Sequence, residues 1–151
     1  MPAKRRSRSP SSAIRFAFAL ALWLVAAGAF AADVAGVITH LSGMLLARKG
    51  DLAAARLYFE RTLLLNPRHA LALFALGNLA LTDGDAARAE RLYLRSADSD
   101  ATFAPALSRL GDLAAARGDK AGALRYYQRA LAADPSDGKA RAGAAALQIN
   151  K

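Results

Sequence analysis

The sequence aligns with itself at an offset of 34 residues, and no other feature restricts its fold so tightly. Gly43, Gly77 and Gly111 share one column. Gly50, Gly84 and Gly118 share another, each followed by an aspartate, Asp51, Asp85 or Asp119. Ala55, Ala89 and Ala123 align, as do Phe59, Tyr93 and Tyr127, and then Arg61, Arg95 and Arg129. Every copy keeps these columns without an insertion, which chance does not produce in so short a chain. A unit of this length is one supersecondary element that cannot bury its apolar face alone, so successive copies must stack and share a core.

Each column has a physical reason. The Gly-Asp pair separates two apolar-periodic segments: Gly ends one helix in a left-handed conformation and Asp caps the start of the next. The first glycine falls inside a helix, where Gly costs about 1 kcal/mol relative to Ala. Its recurrence points to the close approach of a second helix. The aligned alanine permits a close helix crossing, and the aromatic four residues later lies on the same helix face and fills the space beside it. Each copy therefore reads as helix, tight turn, helix. First helices are expected near 36–49, 70–83 and 104–117, and second helices near 52–65, 86–97 and 120–133. Asn66-Pro67 and Asp134-Pro135 break the chain between hairpins. The middle connection has Ala101 in place of proline, after Asp98-Ser99-Asp100, and is expected to be looser. A last Ala-rich segment, about 137–148, reads as a helix capping the stack.

Composition agrees with helices. The apolar share is 54%, mostly Ala and Leu, which favour helix, and β-branched residues are few. The net charge of +9 suggests nucleic acid until its distribution is considered. Lys4, Arg5, Arg6, Arg8 and Arg15 precede every acidic residue, and from Asp33 onward 16 basic residues face 12 acidic ones, a net of +4. That is a solvated helical surface with a mild basic excess, and no nucleic-acid partner is expected. There is no cysteine, which excludes disulfides, thiolate metal sites, a cysteine nucleophile and a lipidated cysteine.

Residues 1–31 read as an address rather than part of the fold. A basic, Ser/Pro-containing start is followed by an uncharged apolar run from Phe16 to Ala32. Ala29-Phe30-Ala31 fits a small-x-small cleavage pattern, so a secretory signal peptide is expected. The alternative is an uncleaved anchor, since 17 apolar residues reach the lower limit for a spanning helix. Positive charge before the run keeps the N-terminus cytoplasmic, so either reading exports the repeats across a bacterial inner membrane, to the periplasm or to its face of the membrane.

The columns resemble the tetratricopeptide repeat (TPR), whose 34-residue motif favours a small residue at position 8, Ala at 20, an aromatic at 24, Ala at 27 and Pro at 32. With copies starting at Gly36, Ala70 and Ala104, the glycines, alanines and aromatics above occupy positions 8, 20 and 24. Position 27 holds Thr62, Ser96 and Ala130, and position 32 holds Pro67, Ala101 and Pro135. The usual aromatics at positions 4 and 11 are absent. The resemblance covers residues 36–137, with repeats at 36–69, 70–103 and 104–137 and a capping helix and tail at 138–151. It implies an all-α, right-handed solenoid of three helix-turn-helix repeats, with a concave groove lined by the first helices.

The catalytic inventory is thin. His69 reads as a solvated turn residue, and His40 lies on a first helix without ligand-spaced partners. The three aspartates read as caps, the aromatic stripe as core, and the recurring arginines as a solvated face. No catalytic residue, cofactor or metal is expected, and an enzyme is disfavoured. Positions 2, 5, 9 and 12 of each first helix face the groove by resemblance: Val37, His40, Met44 and Ala47; Leu71, Phe74, Asn78 and Leu81; Pro105, Ser108, Asp112 and Ala115. A partner site is expected at His40, Met44, Phe74, Asn78, Ser108, Arg109 and Asp112, with an apolar pocket at Phe74 and Met44. The terminal-carboxylate clamp of chaperone-binding TPR domains is rejected, because its places hold His40, Met44, Ala75, Pro105 and Arg109, and only the last matches. The expected function is a non-enzymatic scaffold holding a protein or peptide segment in the bacterial cell envelope. The alternative is an inner-membrane-anchored subunit of a secretion, polysaccharide-export or cytochrome-maturation complex.

Overall fold

The computed structural model describes residues 34–149 and, singly, Trp23, Gly28 and Ala31. Those three apart, the expected leader and its cleavage motif lie outside the described residues. The described chain is helical without strands: α1 over 34–48, α2 Leu52–Leu65, α3 Ala70–Thr82, α4 Ala86–Ser99, α5 Ala104–Ala116, α6 Lys120–Ala133 and α7 Gly138–Ile149. Second helices begin at 52, 86 and 120, reproducing the 34-residue spacing. Among the described residues, no helix is long and apolar enough to cross a membrane.

The turns use the chemistry the sequence provides. Gly50, Gly84 and Gly118 have φ of 85°, 81° and 80°, a region glycine enters without steric cost. Asp51, Asp85 and Asp119 cap the following helices by accepting the amide N–H of Ala54, Arg88 and Gly122 at 3.0, 2.8 and 2.8 Å.

The connection at Ala101 makes the same turn as the others although it lacks their proline. Asp100 Oδ1 accepts the Thr102 N–H at 2.9 Å, as Asn66 does from Arg68 and Asp134 from Ser136. These Asx turns reverse the chain whether or not proline follows, so proline at this point adds stiffness but not geometry. Helix α4 accordingly runs to Ser99, two residues past its expected end.

Ala55, Ala89 and Ala123 are fully buried, with Phe59, Tyr93 and Tyr127 beside them. The mid-helix glycines are explained by those rings. A Cβ on Gly43 would stand 2.7 Å from the Phe59 ring, and one on Gly77 would stand 2.5 Å from Tyr93, while Gly111 meets Tyr127 in the same way. The close approach is therefore made by an aromatic side chain of the same hairpin. Thr62 and Ser96, where the repeat motif prefers alanine, are buried but satisfied. The Thr62 hydroxyl pairs with Thr39 at 2.9 Å, and Ser96 donates to the Ala70 carbonyl at 2.8 Å. At the far end, α7 packs Ala140 and Ala144 against Tyr127 and closes the core.

Candidate functional site

Between α1 and α3 lies an apolar pocket of about 370 Å³. His40, Met44, Phe74 and Asn78, four of the seven expected site residues, line it with Ala47 and Leu71. Met44 and Leu71 are about half exposed and so are open to a partner. Phe74 stands edge-on to Phe103, with ring centres 5.3 Å apart, and tilts against Tyr93 at 5.6 Å. This packing fixes the pocket wall in one orientation.

Phe103 was not among the expected site residues. It occupies the N-cap position of α5 and makes no capping bond. The equivalent positions in the other copies, His69 and Asp137, both cap the next helix. An aromatic where polar caps recur was the available signal: the cap has been exchanged for a pocket wall.

Asn78 is anchored by its core neighbour. The Tyr93 hydroxyl donates to Asn78 Oδ1 at 2.8 Å, which leaves the amide nitrogen for the groove. One repeat later, Tyr127 donates to Asp112 Oδ1 at 2.9 Å. In the first repeat Phe59 has no hydroxyl, and the matching position is the apolar Met44. Burial pushes both phenols up to about 12, so they remain donors.

His40, expected on a first helix and facing the groove, lies at the inner wall of the pocket. It is 6% exposed, its Nδ1 is buried without a hydrogen-bond partner, and its ring lies 4.9 Å from that of His69 and 5.5 Å from Phe59. His69 is half-buried rather than solvated: its Nδ1 accepts the Ala72 N–H at 3.2 Å and caps α3. Burial lowers the pKa of both, and the His69 charge lowers His40 further, so the pair is neutral near pH 7.

The remaining expected residues lie farther along the groove. Ser108 and Arg109 line a smaller hollow of about 270 Å³ with Phe74, Pro105, Asp137 and Lys139. The Ser108 side chain is fully buried, and its hydroxyl is committed to Asp137 Oδ2 at 2.6 Å. Asp112 accepts from Lys139 Nζ at 3.1 Å and lies 3.7 Å from Arg109. This half of the groove is held by its own polar network, whereas the first half leaves apolar surface open.

Models of the tetratricopeptide repeat match residues 40–105 and 104–137. The chain belongs to the tetratricopeptide repeat family. No curated protein sequence matches it. Among solved structures, the Arabidopsis OM64 TPR domain is 16% identical with a TM-score of 0.70, covering 80% of this chain and 99% of that one. The first TPR of Spaghetti (RPAP3), bound to an HSP90 peptide, is 16% identical with a TM-score of 0.68, covering 76% and 91%. A Thermobaculum terrenum O-GlcNAc transferase is 22% identical with a TM-score of 0.69 over 80% of this chain, which spans only 23% of the transferase. At these identities the likeness is one of fold.

A TPR solenoid presents an extended concave surface suited to protein segments. Among the described residues no three His, Cys, Asp or Glu side chains are grouped to hold a metal ion. His40 has its ring against His69 and Phe59, and the residues lining its pocket include no carboxylate that could orient it as a general base.

Proposed function

We propose that this TPR protein is a non-enzymatic scaffold whose groove holds an extended segment of another protein in the bacterial cell envelope. The open apolar pocket beside Met44, Leu71 and Phe74 carries the reading. It would take a bulky apolar side chain of the partner, while the Asn78 amide donates to the segment's backbone. The Spaghetti (RPAP3) domain is bound to a peptide and supports a peptide occupant here. The occupant differs in chemistry, because of the residues that would clamp a terminal carboxylate only Arg109 is present. Fluorescence anisotropy with arrayed extended peptides tests this: peptides carrying Phe, Leu or Met should bind, and Met44→Glu with Leu71→Glu should abolish binding without loss of helicity. Equal binding by the variant would remove the pocket from the reading.

Export rests on the sequence of residues 1–31, with a basic start, an apolar run and a small-residue end. A mature protein short of about 31 residues supports a periplasmic scaffold. A full-length membrane-bound protein supports the anchored subunit of a secretion, polysaccharide-export or cytochrome-maturation complex. A full-length protein in the cytosol contradicts both.

A further inference from the structure

The wall of the apolar pocket depends on a cap that a proton can remove. Helices α2, α4, α6 and α7 are capped by carboxylate oxygens of Asp51, Asp85, Asp119 and Asp137. Helix α3 is capped by an imidazole instead: His69 Nδ1 accepts the Ala72 N–H at 3.2 Å. That bond lasts only while Nδ1 keeps its lone pair, because a protonated imidazole donates from both nitrogens and accepts at neither. The turn held by this cap contains Leu71, which lines the pocket. From α1, the His40 ring stands 4.9 Å from that of His69, lines the same pocket and keeps its Nδ1 buried without a partner. Phe59 of α2 and Phe103 at the start of α5 complete the surroundings, and α4 meets the start of α3 through the neutral Ser96 hydroxyl, bonded to the Ala70 carbonyl. The charged side chains nearby are cationic. Arg48 lines the pocket, and Arg68, next to His69 in the chain, donates to the Asp98 carbonyl at 3.0 Å. No carboxylate lines the pocket to compensate an added positive charge.

We propose that His40 and His69 form an acid-operated gate that releases the pocket's occupant, an inference that rests on the reading of this pocket as the partner's seat. As pH falls, His69 takes a proton at Nδ1, gives up the Ala72 N–H and frees the first turn of α3 together with Leu71. Its charge then faces the His40 ring, and a second proton there places charge at the wall of an apolar pocket. An apolar occupant excludes water from the pair and favours the neutral rings, so occupancy and protonation oppose each other by linkage. Burial lowers the pKa of both histidines, and the His69 charge lowers His40 further, so the seat is formed at neutral pH and opens below the ordinary 6.5.

The probe is a rhodamine-labelled Gly/Ser peptide with one central Phe, capped at both ends so that nothing on it titrates. Anisotropy with the full-length protein should show its affinity falling about tenfold or more from pH 7.5 to pH 5.0. His69→Asn caps α3 without titrating. It should bind as the wild type does at pH 7.5, and its fall should shrink to about threefold, the share left to His40. Circular dichroism should hold across this range, and a fall that tracks global unfolding overturns the gate. Wild-type binding that persists at pH 5.0, or an equal fall in His69→Asn, overturns the gate and leaves the scaffold reading standing. Absence of binding at both pH values overturns the scaffold reading instead. The gate is then decided in the free protein by hydrogen exchange at the Ala72 amide, whose protection should drop at pH 5.0 in the wild type and not in His69→Asn. Unchanged protection in the wild type overturns it.

Discussion

At the scale of single residues, the recurring glycines show how one column can be read for its position before its partner is known. Gly77 inside a helix signalled a close approach, but only the folded chain shows the Tyr93 ring as its cause. Ala in place of a mid-helix Gly ordinarily stabilises by about 1 kcal/mol. Here the added methyl meets a ring locked by its bond to Asn78, so Gly77→Ala should instead destabilise by about 1–3 kcal/mol in urea unfolding. A gain in stability would contradict the packing. The histidine pair was less legible, because nothing in its spacing of 29 residues links His40 to His69. Both have folded-state pKa values below the ordinary 6.5. Above that value both states are neutral and stability is full. As pH falls below it, the unfolded chain binds protons first and stability is lost down to the depressed folded values. His69→Asn keeps a capping side chain and removes one titrating group. It should flatten the fall in urea midpoint between pH 7 and pH 5, and an unchanged slope would show that the pair does not control it.

At the scale of elements, helix positions followed from caps and periodicity almost to the residue, because Gly-Asp turns carry their geometry locally. The link at Ala101 keeps the geometry of the other two because the Asx turn, not proline, does the bending. Contacts between helices were not legible, since they depend on side chains far apart in sequence. Two of these show a shared placement: Arg56 pairs with Asp83 and Glu90 with Arg117, the same two repeat positions with the charges exchanged. Such exposed pairs serve register more than stability. Asp137 is a stronger junction. It receives the Ser108 hydroxyl and the amide N–H groups of Lys139 and Ala140. Burial opposes its charge, but these donors and the Lys139 ammonium prevail and hold its carboxyl below the usual range. Asp137→Ala leaves a buried hydroxyl and the start of α7 without an acceptor. It should cost about 1–3 kcal/mol at pH 7 and raise hydrogen exchange in α7. The cost should shrink as pH falls through the carboxyl's own pKa, where its charge is lost in the native protein as well.

At the scale of the whole molecule, the repeat explained its own aligned residues, so function had to lie where the copies differ. The structure sharpens that division. The last repeat fills its groove with a polar network and is sealed by α7. The first two repeats share an open apolar pocket. Sequence indicated the groove through repeat position, and an aromatic at a cap position marked Phe103, but the difference between the two halves emerged only from side-chain packing. An extended partner segment in the pocket is the central claim, and photo-crosslinking tests it most directly. With a diazirine amino acid at Leu71 of the full-length protein in its own cells, the adducts can be mapped by mass spectrometry. One recurring extended segment with a bulky apolar residue is expected, and it should disappear when Met44→Glu blocks the pocket. The same adducts in the blocked protein, or scattered adducts with no common segment, would contradict the claim.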